Sequence, residues 1–387
     1  MKFRIKIRHI VLASVNAAAL IAAAVMTAAG SSMAKSQEYN HAASEWGGEK
    51  GSCSQISCFF AESSGFSTDS LNSVRSMMLS ELQTVSVAPE EGKTLVPDAY
   101  SAPLGNCQIS SDINRNTSAE ITAVGGDFFL FRDFRLINGV YFTKEDLMQD
   151  GAVIDRELAW MLYGSENIAG MDMYINGVKF YIAGVIDVPD TEPEKQCAGK
   201  SMRAYISYDM ADEVSRGASD TGALPFMGGG ISPEENTQPV SFTEITCYEC
   251  IIPDPVDSFA KNTMNKIFSQ QYSGKVDIVS NSDRFDSKRL AKNYKKLSRS
   301  VVQDSGIVYP YWENASRIVE YKLTRLYHGR KLILMIPMLT LVWILLRLII
   351  LWRRKKPKLK RYLGVRADRL RSRLRKLLPR RSRNETE

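Results

Sequence analysis

Histidine is nearly missing from this sequence: three occur in 387 residues, His9, His41 and His328, far apart along the chain. No His-Glu-x-x-His pair and no paired-cysteine set with zinc spacing is present, which removes the usual zinc sites. A Gly-x-Ser-x-Gly elbow is missing, and so is a Gly-x-x-x-x-Gly-Lys-Ser/Thr loop, so the chain carries no ATPase of its own. Its carboxylates offer no pair that stands apart from surface acids. The sequence therefore leads us to expect no catalytic residue, no metal ligand and no cofactor.

Acidic residues are missing from both ends. Residues 1–9 hold four basic and no acidic side chains, and residues 353–387 hold sixteen basic against three acidic, which leaves thirty basic and forty acidic residues between them. A nucleic-acid-binding chain would not segregate charge this way, whereas a membrane protein with two cytoplasmic ends would. Two uncharged or nearly uncharged runs explain the partition. Ile10 to Gly30 is alanine-rich and broken only by Ser14, Asn16 and Thr27; Leu332 to Leu351 is more apolar, with Thr340 and Arg347 as its polar breaks. Each is long enough to span about 30 Å of hydrocarbon at about 1.5 Å per residue. Lys2, Arg4, Lys6 and Arg8, and again Arg353 to Lys356, place both termini in the cytoplasm and the middle of the chain outside it. The competing reading of the first run is a cleaved signal peptide with Ser32-Met33-Ala34 as its cleavage site; the middle domain stays outside either way. Ala13, Ala17, Ala24 and Ala28 share one helix face, which another helix can approach closely.

All six cysteines, Cys53, Cys58, Cys107, Cys197, Cys247 and Cys250, fall in the outer region, where disulfides persist. Fifteen connectivities are open to them, and Cys53 with Cys58 is the easiest local pair. Cys247-Tyr-Glu-Cys250 has redox spacing, but its surroundings, Phe242 to Ile252, read as a strand. Residues three apart on a strand point to opposite faces, which opposes a reactive dithiol; pairing with Cys107 or Cys197 fits better.

Between the apolar runs the pattern is α+β. Leu71, Val74, Met77, Met78 and Leu82 recur at helical spacing after a start at Ser67 to Asp69. Residues 83–88 read as a strand, 89–117 as turns, and Ser118 to Val124 as a strand. Asp155 to Tyr163 is a short helix stopped by Gly164. Met171 to Ile182 is a hairpin about Asn176-Gly177, whose two-residue turn sets Ile175 opposite Val178, Met173 opposite Phe180 and Met171 opposite Ile182. Met202 to Tyr208 is a strand followed by a short helix, residues 215–239 form a loop, Ser258 to Phe268 is a helix and Lys275 to Val279 a strand. Ala315 to Tyr327 reads as a stalk helix running into the second membrane segment. In the last segment Leu359, Leu363, Ala367, Leu370, Leu374 and Leu378 recur amid arginine, a basic amphipathic helix suited to anionic lipid headgroups rather than to nucleic acid, since aromatic stacking residues are almost missing.

The stretch from about Phe66 to Ile186 resembles the extracytoplasmic core domain of MacB-type ABC transporter permeases. Val124-Gly-Gly-Asp-Phe-Phe129 followed by Leu136-Ile-Asn-Gly-Val-Tyr-Phe142 matches that family's G-x-x-x-x-F and L-x-x-G-R-x-F runs. Gly151-Ala-Val-Ile154 with Ala159-Trp-Met-Leu-Tyr-Gly164 matches its strand and A-x-x-L-F-G helix, and Ile168 to Ile186 its hairpin. Val140 stands where the family usually has arginine, and the family's later membrane helices have no counterpart, so the chain looks like a permease half cut to its outer domain and two anchors. The resemblance implies a MacB-like core domain over residues 31–314; the residue patterns above add a stalk helix over 315–331, membrane helices over 10–30 and 332–352, and a cytoplasmic N-terminus (1–9) and tail (353–387). It also implies a non-catalytic part of an export system, moved by or bound to other ABC transporter subunits, a separate ATPase among them. Two other classes stay open: an extracytoplasmic thiol-redox enzyme using Cys247 and Cys250, and a sensor that signals through the stalk.

Overall fold

The computed structural model describes residues 7–37, 40, 42–47, 53–87, 94–132, 134–187, 191–220, 244–256, 258–290 and 306–377. They belong to two compact units, Met1–Ala28 with His328–Glu387 and Ala29–Tyr327. In the first unit, α1 (Ile7–Lys35) and α9 (Tyr311–Leu377) each carry a run long and apolar enough to cross a membrane. The large apolar side chains of α9 at Leu332 and from Leu334 to Trp352 are exposed, as lipid-facing residues would be. Thr340 Oγ1 donates to Asn16 Oδ1 at 2.8 Å and Arg330 Nη1 to Thr27 Oγ1 at 3.1 Å. Ala19 and Ala23 are the buried alanines of α1, whereas the face of Ala13, Ala17, Ala24 and Ala28 is exposed. Small side chains do mark a packing face here, but on a different stripe from the one the spacing picked out, because Asn16 aims at Thr340.

The second unit is built on one ten-stranded mixed sheet. Its strands are β1 (Cys53–Phe60), β2 (Asp98–Ser111), β3 (Asn116–Gly126), β4 (Leu136–Gly139), β5 (Gly151–Asp155), β6 (Asp172–Ile175), β7 (Val178–Ile186), β8 (Arg203–Ser207), β9 (Cys247–Pro253) and β10 (Val276–Ser280). Their order is β10-β1-β9-β2-β3-β8-β5-β7-β4, with β6 pairing β2 and β7. Only β3–β8 and β5–β7 are parallel. The helices are α2 (Ala42–Gly47), α3 (Thr68–Thr84), α4 (Phe128–Phe131), α5 (Arg156–Tyr163), α6 (Glu192–Ala198), α7 (Ala211–Asp220), α8 (Phe259–Gln271) and the first turns of α9. This is the expected α+β class.

One face of the sheet forms the larger core. Leu71, Val74, Met78 and Leu82 of α3 and Met264 and Phe268 of α8 belong to it with Ile56, Cys58, Phe60, Tyr248 and Cys250, and Leu158 and Leu162 of α5 with Ile121, Ile154 and Val185. The hairpin register is as the two-residue turn requires: Ile175 faces Val178, Met173 faces Phe180 and Asp172 faces Tyr181. Asn176 and Gly177 take φ of 47° and 82°, the left-handed values a type I′ turn demands. Asp155 caps α5 by accepting from the Leu158 backbone N–H, and Gly164 closes it.

Several expectations fail. Residues 83–84 still belong to α3, and Val85–Ser86 form a turn, with Ser86 at φ 61°, so no strand runs there. Within 89–117 the described residues form the 14-residue β2 instead of turns; Pro103 and Gly105, which read as turn signals, flank a register shift against β3. Residues 215–220 are helical, and the rest of the expected loop to 239 lies outside the described residues. Met77 is exposed although Met78 beside it is buried.

Candidate functional site: a charged seam under the stalk helix

Strand alternation sends every second residue of β1 and β9 away from the larger core. Gln55, Ser57 and Glu249 are among those residues, and all are buried. A carboxylate cannot lie there unpaired. Glu249 accepts from Arg132 Nη2, itself buried just after α4, and its other oxygen accepts from Ser57 Oγ at 2.6 Å. Asn281 Nδ2 donates to Ser57 Oγ at 2.7 Å. The Arg132 guanidinium lies 4.5 Å from the ring centre of Trp312, at the start of α9. Around it Phe128, Phe131, Phe134, Tyr205 and Ile251 complete a second, aromatic core.

The same polar line continues onto α9. Arg284, 2% exposed, donates to both oxygens of Glu313 at 2.6 and 2.7 Å and from Nε to Glu320 at 3.2 Å. Arg317 donates to Glu313 at 2.7 Å and to Asp277 of β10 at 2.7 Å, and its Cζ lies 3.7 Å over the Tyr309 ring. Burial pulls the Arg284 pKa down, but the charge and hydrogen bonds of Glu313, with Glu320 behind them, outweigh it and the net direction is up. Glu313, Arg317 and Glu320 are four and three residues apart, on one face of α9. A helix sliding on an oily surface has no fixed register, whereas bidentate guanidinium–carboxylate pairs hold one. Below the seam, Val319, Leu323 and Tyr327 pack with Phe285 and Leu290, and Met33 and Ala34 of α1 join them. A Cβ on Gly30 would meet the Tyr327 ring at 2.9 Å.

All six cysteines are free thiols in the structure. The local pair Cys53–Cys58 is excluded: both lie on β1, five residues apart, which sets their Cα atoms about 16 Å apart, well past the roughly 7 Å a disulfide spans. Cys247 and Cys250 do lie on a strand and on opposite faces, Cys250 in the larger core and Cys247 in a separate cluster with Phe59 and Ile307. Cys58 and Cys250 face the same core from neighbouring strands as diagonal partners, about 7–8 Å apart between Cα atoms. Burial pushes the thiols of Cys58, Cys247 and Cys250 well above the ordinary range, and that of Cys107 up to about 11. This is the reverse of what a reactive dithiol needs. Among the described residues no His, Cys, Asp and Glu group is placed to hold a metal ion. The seam itself was not legible beforehand, although two signals existed: Glu249 inside an otherwise apolar strand, and Arg132 directly after four aromatic or aliphatic residues.

The described residues form an α+β domain together with two helices long and apolar enough to cross a membrane. Residues 16–236 match the family model of the MacB-like periplasmic core domain, and the chain belongs to that family, a component of transporter permeases. It is 32% identical over 98 residues to the macrolide export ATP-binding/permease protein MacB of Pasteurella multocida (strain Pm70), an alignment covering 24% of this chain and 15% of that relative's length. Among solved structures it is similar to the periplasmic region of MacB from Actinobacillus actinomycetemcomitans, with 15% identity, a TM-score of 0.37, and coverage of 64% of this chain and 93% of that one. It is also similar to the extracellular domain of the noncanonic ABC-type transporter YknZ from Gram-positive bacteria, with 12% identity, a TM-score of 0.36, and coverage of 58% and 99%. Of the seam, Arg132 falls within the matched residues, and Glu249, Arg284, Glu313 and Arg317 follow them.

Proposed function

We propose that the chain is a non-catalytic, membrane-anchored component of a MacB-like ABC export system, which relays displacement between its extracytoplasmic domain and the membrane through α9. The observation that carries this reading is the seam: buried Arg284 holds Glu313 and Glu320 of a helix that runs on, as one element, through Leu332 to Leu351. Load on the domain then passes to the helix without slippage. Both termini lie in the cytoplasm on this reading, and a separate ATPase subunit supplies the energy. The juxtamembrane cations Arg353 to Lys356 and the arginines beyond them engage anionic headgroups there. Inserting a flexible Gly-rich linker at Gly329 is expected to abolish complementation of the deletion strain's export phenotype, with protein level and domain stability unchanged. Full complementation by the linker variant sinks the relay, and a reporter at residue 370 that scores outside the cytoplasm sinks the topology.

A further inference from the structure

The apolar run of α9 contains a single charge, Arg347, between Leu332 and Leu351. Thr340, which donates to Asn16 Oδ1 of α1, is the last residue of that run to be partly covered, and the side chains from Leu341 to Trp352 are all exposed. Arg347 makes no ion pair among the described residues, and the sequence puts no acid within its reach along either helix. α1 has no Asp or Glu, and α9 has none between Glu320 and Asp368. Those two are about 40 and 31 Å from Arg347 along the helix axis.

A guanidinium in hydrocarbon is costly unless its charge is met. Headgroup phosphate is the common answer, reached by a side chain that stretches along the helix to the interface. Here the backbone opposes that route. Helical Cα–Cβ bonds tilt toward the N-terminus, so near the C-terminal end of a span a long side chain leans inward. Arg347 does so: its Cζ lies 5.2 Å from the ring centre of Trp343, which stands one turn deeper and is 51% exposed. Trp343 precedes Arg353 by about 15 Å, half of a hydrocarbon layer about 30 Å thick. The indole face thus holds the cation toward the middle of the span, with its N–H donors available to a carboxylate. We propose that Trp343 and Arg347 form a recognition site for a transmembrane helix of another subunit that carries an Asp or Glu in the middle of its own span. Charge complementarity selects this partner: a second copy of the chain has no acid to offer in either apolar run, and phosphate lies at the wrong depth. A bidentate guanidinium–carboxylate pair is directional, so it fixes which helix docks and in which rotation. The proposal rests on the membrane anchorage of α9 and not on the relay.

The test places the full chain in phosphatidylcholine vesicles with a dansyl-labelled Leu/Ala transmembrane peptide of about 21 residues. One form of the peptide has a central Asp, which sits at mid-depth whichever way it inserts; the reference form has Leu there. Energy transfer to the dansyl group from the chain's tryptophans, Trp343 and Trp352 being within the span, reports association. Polar contacts between membrane helices favour association by roughly five- to thirtyfold, and the Asp peptide is expected to bind better than the Leu peptide by that factor. Arg347→Leu is expected to bring the ratio near one, and Arg347→Lys, which keeps the charge, to retain part of the preference. The melting temperature is expected to stay unchanged in both variants, since the exposed Arg347 makes no ion pair. A ratio near one in the unaltered chain, where headgroups or water already meet the cation, overturns the proposal, as does a preference that survives Arg347→Leu. Flotation of the vesicles separates the two readings. A chain that does not float with them overturns the anchorage and this proposal together; a chain that floats and shows a ratio near one overturns this proposal alone.

Discussion

Replacing Arg284 by methionine removes the guanidinium and keeps much of the side-chain volume, which isolates the charge at the centre of the seam. Arg284 is 2% exposed and all three of its donor nitrogens are used. Without it, Glu313 keeps one partner, Arg317 at 2.7 Å, and Glu320, which is less deeply buried, is left to water. Breaking a fully buried pair costs about 3–5 kcal/mol, so the surviving Arg317 contact puts this substitution near the lower end, about 3 kcal/mol. For a domain of this size that corresponds to a fall in melting temperature of roughly 6–12 °C. The double variant Arg284→Met with Glu313→Leu removes both charges, and exchange of a buried pair for apolar groups is often neutral or better. It is expected to recover about 2 kcal/mol over the single variant. The assay is denaturant unfolding of the full chain in detergent, followed by tryptophan fluorescence, for which Trp312 lies in the seam. A single-variant loss below about 1 kcal/mol, or a double variant worse than the sum of its singles, refutes the reasoning.

Four further outcomes are expected. Phe180→Ala, at a fully buried hairpin position, lowers stability by about 3–5 kcal/mol; near-unchanged unfolding shows that the ring carries no core. Burial raises the Asp155 carboxyl to about 6, against opposing hydrogen bonds from the Leu158 and Arg203 backbone N–H groups. The folded chain then binds this proton more tightly than the unfolded one, so the contribution is complete below about pH 4 and lost as pH rises through 6. Melting scans between these values are expected to lose that downward slope in Asp155→Asn, and an unchanged slope assigns it elsewhere. Alkylation of the native chain is expected to modify Cys53 and Cys197, the two partly exposed thiols, before the other four. Replacing Cys247 and Cys250 together is expected to lower stability without loss of export; a folded but inactive double variant favours the redox enzyme.

Local chemistry was readable and distant chemistry was not. Asn176-Gly177 fixed a hairpin because its turn and its apolar pairs are all within twelve residues. Asp155 and Gly164 bounded α5 for the same reason. The seam joins Arg132 to Glu249 across 117 residues and Arg284 to Glu313 across 29, and no period in the sequence brings such positions together. β2 escaped because proline and glycine usually break strands, whereas here the ladder shifts register at Pro103–Gly105 and goes on. β1 carries no alternation to read, since alternation marks a half-exposed strand and this one, with polar Gln55 and Ser57 inside it, is buried on both faces.

The pairing of β1 has a bearing on biogenesis. Its ladder partners are β9, about 190 residues later, and β10 beyond that. At synthesis rates of roughly 5–20 residues per second, the segment Cys53–Phe60 waits on the order of 10–40 s after emergence before either partner exists. Throughout that interval a strand with both edges open lacks the partners of its ladder. A nascent chain arrested before residue 247 has no means of closing it, so truncation there yields an aggregating fragment rather than a smaller domain.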